Sequence, residues 1–297
     1  MTVSDRGRGC DGIATAAGSF IPSMAIGDLG RFGVWRYYGA FTPQDAQDLE
    51  GLGYGTLWLG GSPPAELPVI ESLLEATESI TVATSIVNIW TAPAKQVAES
   101  FHRIEARFPG RFLLGLGAGH PEHQGEYRKP YDALAEYFDE LDAAGVPKQR
   151  RALAALGPRV LGLAAERSAG ALPYNVTPEH TARARALLGE GVLLATEHKV
   201  VLDEDPVRAR AAARPRVEFY LDLQNYVANL RRLGFTDDDL TKPGSDRLID
   251  ALVAHGAADS IVDRLSTHLN AGADHVVIQV LADEPATLRT LAPLLAK

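Results

Sequence analysis

Short apolar runs alternate with amphipathic stretches along most of this chain, the pattern of strands and helices taken in turn. Phe32–Trp35 predicts a first strand; Thr42 then caps a helix with Pro43 at its first position and Gly53 at its close. Thr56–Leu59 predicts a second strand, ending in Gly60-Gly61-Ser62, and a helix over about Pro64–Thr77 follows. Ile80–Trp90, rich in β-branched residues, predicts the third strand. Val97, Phe101, Ile104 and Phe108 fall on one stripe of the next helix, which Pro109-Gly110 ends. The pattern centres on Arg111–His123: Phe112, Leu113, Leu114 and Leu116 form a buried strand that runs into Gly117, Ala118 and Gly119, then His120-Pro121-Glu122-His123. Tyr131, Leu134, Phe138 and Leu141 repeat the helical spacing.

Ala152–Leu156 predicts a fifth strand, and Gly157-Pro158 opens a helix through about Ala169. Ala171–Tyr174 is a sixth strand, and Thr177-Pro178 starts a helix ending near Gly189. Val192–Thr196 is the seventh, extendable through Val200-Val201-Leu202; a mostly helical tract over roughly Asp205–Asn270 precedes the eighth at His275–Val280, and a helix from Glu284 ends the chain. Eight strands alternating with helices are the count of a (β/α)8 TIM barrel in the α/β class. The alternative is an open doubly wound sheet, but no Gly-rich dinucleotide fingerprint follows the first strand. The barrel domain is expected over residues 31–297, with a helical insertion between strands seven and eight as a lid or a dimer face. Residues 1–30, rich in Gly, Ala and Ser, read as a mobile N-terminal tail.

Composition narrows the partners more than the fold. The net charge of -9 argues against a nucleic-acid binder. No apolar run reaches membrane-spanning length. Cys10 is the lone cysteine, which excludes an internal disulfide and a Cys-based zinc cage and points to the cytoplasm.

Chemistry is expected where barrel strands end, at their C-terminal side. Three tryptophans lie near the ends of the first three strands, where Trp35 and Trp90 would wall a flat aromatic cofactor and Trp58 would point outward. The bland reading is that tryptophan fills barrel cores. Gly157-Pro158-Arg159 offers a helix N-terminus suited to phosphate, with Arg159 adding charge only if it turns inward. His120 and His123 with Glu122 do not complete a metal set, so no metal is expected; His120 fits better as a proton donor or a cofactor hydrogen-bonder.

These segments resemble the bacterial luciferase-like superfamily, and within it the branch of deazaflavin (coenzyme F420) oxidoreductases. The resemblance spans about Arg31–Lys297. It rests on Phe32–Trp35, on Ala83-Thr84-Ser85-Ile86-Val87-Asn88, and on Phe108-Pro109-Gly110-Arg111-Phe112 followed by Gly115-Leu116-Gly117-Ala118-Gly119-His120. Leu153-Ala154-Ala155-Leu156-Gly157-Pro158-Arg159 and Gly170-Ala171-Leu172-Pro173-Tyr174 reinforce it. It implies a flat tricyclic ring over the strand ends, backed by a bulge with a non-prolyl cis peptide at Ser85-Ile86; Trp35, Asn88 and Tyr174, at the ends of strands one, three and six, are further candidates for cofactor contact. Gly117, Ala118, Gly119 and His120 would contact the ring or its ribityl chain, and Ala155, Leu156, Gly157 and Pro158 its phosphate. The chain departs from the family where an acid–histidine pair follows strand two, having Gly60-Gly61-Ser62, and where some members place a glutamate after strand four, having His120.

The leading expectation is therefore an F420-dependent oxidoreductase exchanging a hydride with a small organic substrate, His120 moving the substrate proton. An FMN-dependent monooxygenase of the same fold is the alternative. A flavin- or deazaflavin-binding protein without turnover, motivated by the missing acid–histidine pair, is a third, and a sugar-phosphate isomerase a fourth that would need a carboxylate or lysine at strand ends, of which few are apparent. A homodimer is implied by the resemblance alone.

Overall fold

The structure, a computed structural model, describes Met1, residues 28–120 and residues 129–296. Its centre is a closed ring of parallel strands: β1 (Phe32–Tyr37), β2 (Thr56–Gly60), β3 (Thr81–Ser85) with β4 (Val87–Asn88), β5 (Phe112–Gly117), β6 (Arg151–Leu153), β7 (Gly170–Ala171) and β8 (Leu193–Val201). β9 (Val253–His255) lies outside the ring, and β10 (His275–Val280) closes it by pairing with both β8 and β1. The architecture is the expected (β/α)8 barrel.

The predicted third strand is split. Ala83 opposes Leu113 but Val87 opposes Leu116, so four steps along β3–β4 match three along β5. That extra residue is a bulge, and the Ser85–Ile86 bond inside it is cis, where the resemblance implied it.

Helices follow the strands: α1 (Pro43–Gly51), α2 (Pro68–Glu75), α3 (Ala94–Arg107), α4 (Pro130–Ala143), α5 (Pro158–Arg167) and α6 (Pro178–Leu188). Thr42 and Asp45 form a reciprocal capping box on α1 with Pro43 at the first turn, an arrangement worth about 1 kcal/mol. α2 starts later than its sequence pattern suggested, because Leu67 sits at φ 50° just before Pro68. The tract between β8 and β10 holds α7 (Pro206–Tyr220), α8 (Gln224–Arg232), α9 (Asp237–Leu240), α10 (Asp246–Leu252) and α11 (Ala258–Asn270). It also holds β9, which the sequence pattern did not show and which pairs with Lys199–Val201 of β8. α12 (Glu284–Leu295) ends the fold.

Alternation along each strand sorts side chains into two cores. Outward positions such as Val34, Leu57, Leu114 and Ile278 pack under the helices. Inward positions fill the lumen with Trp58, Ala83, Leu113, Ala152, Ala195 and Val277. Trp58 therefore points inward and not outward; it is fully buried and its Nε1–H donates to His275 Nε2 at 3.0 Å. Leu29, assigned from sequence to the tail, plugs the same lumen, and its carbonyl accepts from Thr56 Oγ1. The helices of the insertion have a small core of their own around Ala213, Val217, Leu230 and Ile249.

Candidate active site

At the C-terminal ends of the strands lies a hollow of two adjoining lobes, of about 470 Å3 and 380 Å3, which share Ile86, Gly119, His120, Tyr174 and Tyr226 as walls. The insertion supplies its roof. The turn from α7 to α8 brings Tyr220, Leu223 and Tyr226 onto Leu156 and Tyr174. Tyr220 donates from its hydroxyl to Tyr174 Oη at 2.9 Å, and Tyr174 donates in turn to Gln279 Oε1 at 2.6 Å. The turn between α7 and α8 thus covers part of the barrel mouth.

The first lobe runs from Ile86 and Ala154 to Gly157 and Val160 at the start of α5. Close packing at its inner end requires glycine at position 117: a Cβ there would stand 2.8 Å from Ile86 Cγ1 and 3.2 Å from Ala154 Cβ. At the other end α5 has an extended Gly157 as N-cap and no side-chain cap, so its first-turn N–H groups keep their donor capacity beside the lobe. Two hydrogen bonds hold the flanking loops: Trp90 Nε1–H to the Ala118 carbonyl at 2.6 Å and His180 Nε2–H to the Leu156 carbonyl at 3.0 Å. Trp90 is therefore behind the wall, not part of it.

The second lobe is lined by Trp35, Ser62, Ser85, Asn88, Phe219 and Tyr220 besides the shared walls. His120, half-buried between the lobes, donates from Nδ1 to Asn225 Oδ1 at 3.2 Å and stacks 5.3 Å from the Tyr226 ring.

Of the positions singled out in the sequence, Trp35, Ser85, Ile86, Asn88, Ala118, Gly119, His120, Ala155, Leu156, Gly157 and Tyr174 all line one lobe or both. Gly117 lies just behind Ile86. Pro158 and Arg159 do not line the hollow: Pro158 is exposed and has no N–H to offer a phosphate, and the Arg159 guanidinium lies over the Tyr131 ring at 4.7 Å. Among the described residues no three His, Cys, Asp or Glu converge as a ligand set; Glu122 and His123 lie outside those residues.

Sequence reasoning missed the charged pair under Tyr174. Glu197 and Lys199 continue the inward alternation of β8 beyond Ala195, both buried, with Lys199 Nζ 3.1 Å from Glu197 Oε2 and from Asn175 Oδ1. The Asn175 backbone N–H donates to Glu197 Oε2 at 3.0 Å. One carboxylate and one lysine thus stand at a strand end, a pair that the sequence reading did not name. Burial lowers the Lys199 pKa against the opposing pull of Glu197. Burial likewise pushes the Tyr174 phenol well up, with Tyr220 and Glu197 adding to it, so Tyr174 stays protonated. The extension of strand seven, left open in the pattern, was the signal that would have placed this pair.

Residues 28–144 match the family model of luciferase-like monooxygenases. A search of curated protein sequences finds no match. Among solved structures, an F420-dependent secondary alcohol dehydrogenase in complex with an F420-acetone adduct superposes with a TM-score of 0.70 at 14% identity, over 89% of this chain and 97% of that one. The coenzyme F420-dependent tetrahydromethanopterin reductase of Methanopyrus kandleri gives 0.65 at 17% identity, over 88% and 97%. The oxygenating constituent of 3,6-diketocamphane monooxygenase from Pseudomonas putida, in complex with FMN, gives 0.64 at 14%, over 91% and 96%. Residues 28–144 are thus similar in sequence to luciferase-like monooxygenases, and the chain as a whole has the (β/α)8 barrel fold of these structures.

Proposed function

We propose that the chain is an oxidoreductase that holds coenzyme F420 in the first lobe and exchanges a hydride with a small organic substrate in the second. The observation that carries this reading is one lobe with an apolar wall at Ile86 and Ala154 and an uncapped helix N-terminus at Gly157. A flat ring needs the first and a phosphorylated side chain needs the second, so the residues present fit such a group. Its bound ring supplies hydride acceptance or donation.

The chain's own residues do the rest. Backbone N–H groups at the start of α5 bind the phosphate, while His180 and Trp90 fix the two loops through their carbonyls. Tyr220 and Tyr226 close the roof and exclude water. His120 exchanges the substrate proton: Asn225 Oδ1 accepts from Nδ1–H, which orients the ring and assigns the exchange to Nε2.

A second reading, an FMN-dependent monooxygenase, is favoured by the matched family's description and by the FMN-bound neighbour. Fluorescence titration of the protein with F420 and, under identical conditions, with FMN separates the two. Micromolar binding of F420 with FMN ignored supports the proposal; FMN binding alone moves the assignment to the monooxygenase; binding of neither removes both. Tight binding with neither reduction of F420 by any alcohol nor oxidation of reduced F420 by any ketone or enone would instead leave a carrier.

A further inference from the structure

We infer that the second lobe is a subsite for a flat, apolar, ring-containing substrate, which enters between Tyr37 and Phe219. The inference rests on the proposed assignment of the first lobe to the cofactor.

Five of its lining residues, Trp35, Tyr174, Phe219, Tyr220 and Tyr226, carry aromatic rings. Trp35 and Tyr174 have centroids 6.0 Å apart, Tyr174 and Tyr220 5.2 Å, and Tyr220 and Tyr226 4.9 Å. The polar ends of two of these rings are spent within the wall, Tyr220 donating to Tyr174 and Tyr174 to Gln279. What they offer to the lobe is π surface, which favours stacked or edge-on rings over hydroxylated or phosphorylated molecules. Trp35 holds its place because residue 60 is glycine: a Cβ there would stand 1.9 Å from Trp35 Cζ2. The Lys199 ammonium is sealed against the Tyr174 ring, 4.3 Å from its centroid, and paired to Glu197.

The approach to this lobe combines aromatic rings with the charged side chains of Arg36, Arg216 and Glu284. A groove of about 410 Å3 adjoins it and shares Trp35, Gly61, Phe219 and Tyr220 with it. At its rim Tyr37 and Phe219 are 52% and 49% exposed, two of the few large hydrophobic side chains left open to solvent among the described residues. Large apolar surface exposed beside a cavity marks a place where an apolar partner lands. From this rim a planar molecule reaches Trp35 and Tyr220 without crossing the first lobe. Ser62, Ser85 and Asn88 then provide hydrogen-bonding groups for a single polar substituent.

Calorimetric titration of the full chain tests this, with 2-naphthol, phenol and 2-propanol as probes, each with and without saturating F420. The expected order is 2-naphthol tightest and 2-propanol weakest, separated by about tenfold or more. Because 2-naphthol is sticky, the variants decide. Tyr37→Ser or Phe219→Ser, both at exposed rim positions where folding is not at stake, should weaken 2-naphthol by about fivefold or more while F420 affinity stays within about threefold. Failure of 2-naphthol to bind, equal affinity for 2-propanol, or unchanged 2-naphthol affinity in both variants overturns the inference. If neither F420 nor FMN binds, the cofactor assignment falls, while the same titrations on the cofactor-free chain still decide what the second lobe takes.

Discussion

Lowering the pH should destabilise the barrel through His275, whose two ring nitrogens are both committed. Trp58 Nε1 is a donor only, so His275 Nε2 must accept from it, and Nδ1–H then donates to the Gly30 carbonyl at 2.8 Å. A second proton would set N–H against N–H in a fully buried site. Burial accordingly lowers the His275 pKa from 6.5 to about 4, against the opposing pull of the Gly30 carbonyl. A group depressed on folding contributes stability that is present above its unfolded value and is lost as pH falls toward its folded value. With 6.5 unfolded and about 4 folded, the loss from His275 is about 2 kcal/mol between pH 7 and pH 5, approaching about 3 kcal/mol below pH 4. His268, lowered to about 4 chiefly by burial, adds a loss of its own in the same window. The assay is urea unfolding of the wild type and of His275→Gln at pH 7 and at pH 5. The variant's lower stability at pH 7 is not the readout; its fall between the two pH values is, and it should be smaller than the wild type's by about 2 kcal/mol. Parallel falls in the two proteins would refute the argument.

Other perturbations test separate parts of the molecule. Lys199→Met strands Glu197 in the lumen and should cost about 3–5 kcal/mol in urea unfolding; adding Glu197→Gln should restore more than half of it, because the uncompensated charge is the main penalty. Burial pushes Glu50 up, but the amides of Ser79, Ile80 and Glu78 and the Ser79 hydroxyl outweigh it and hold the carboxyl at about 2. Glu50→Gln should then lose about 1 kcal/mol at pH 7, a figure discounted for solvent screening, and the difference from wild type should vanish as pH falls from 4.5 toward 2. For the proposed proton exchange, His120→Ala should lower kcat by roughly 100-fold or more with F420 affinity within about threefold, and an unchanged kcat would remove His120 from the mechanism. Arg159→Ala should change cofactor affinity less than about threefold, since the guanidinium stacks on Tyr131 away from the lobe.

Much of the barrel is legible in the chain read alone, because its strands and helices announce themselves locally. Thr42-Pro43 with Asp45 is a helix start whatever surrounds it. The alternation of eight apolar strands with amphipathic helices leaves few ways to close a core, and the barrel is among them. The loops at Gly117–His120 and Ala155–Gly157 were also visible, since small residues after a buried strand mark close backbone approach, and the family resemblance located the bulge at Ser85-Ile86.

What stayed hidden has one physical origin: a strand buried on both faces carries no mark of which face is which. Trp58 was read as outward for that reason, and only closure of the ring turns it onto His275 in the lumen. The sequence pattern left Glu197 and Lys199 open, because their inward direction depends on β8 running unbroken to Val201, which β9 and β10 secure from distant parts of the chain. The roof is the same case at longer range. Tyr220 and Tyr226 look like ordinary buried aromatics of an amphipathic helix, and nothing local says that the turn between α7 and α8 will fold back onto Tyr174 and His120. Local propensity and periodicity determine the elements and their order; which faces meet, and hence the shape of the hollow, is decided by the closure of the barrel and the packing of the insertion across it.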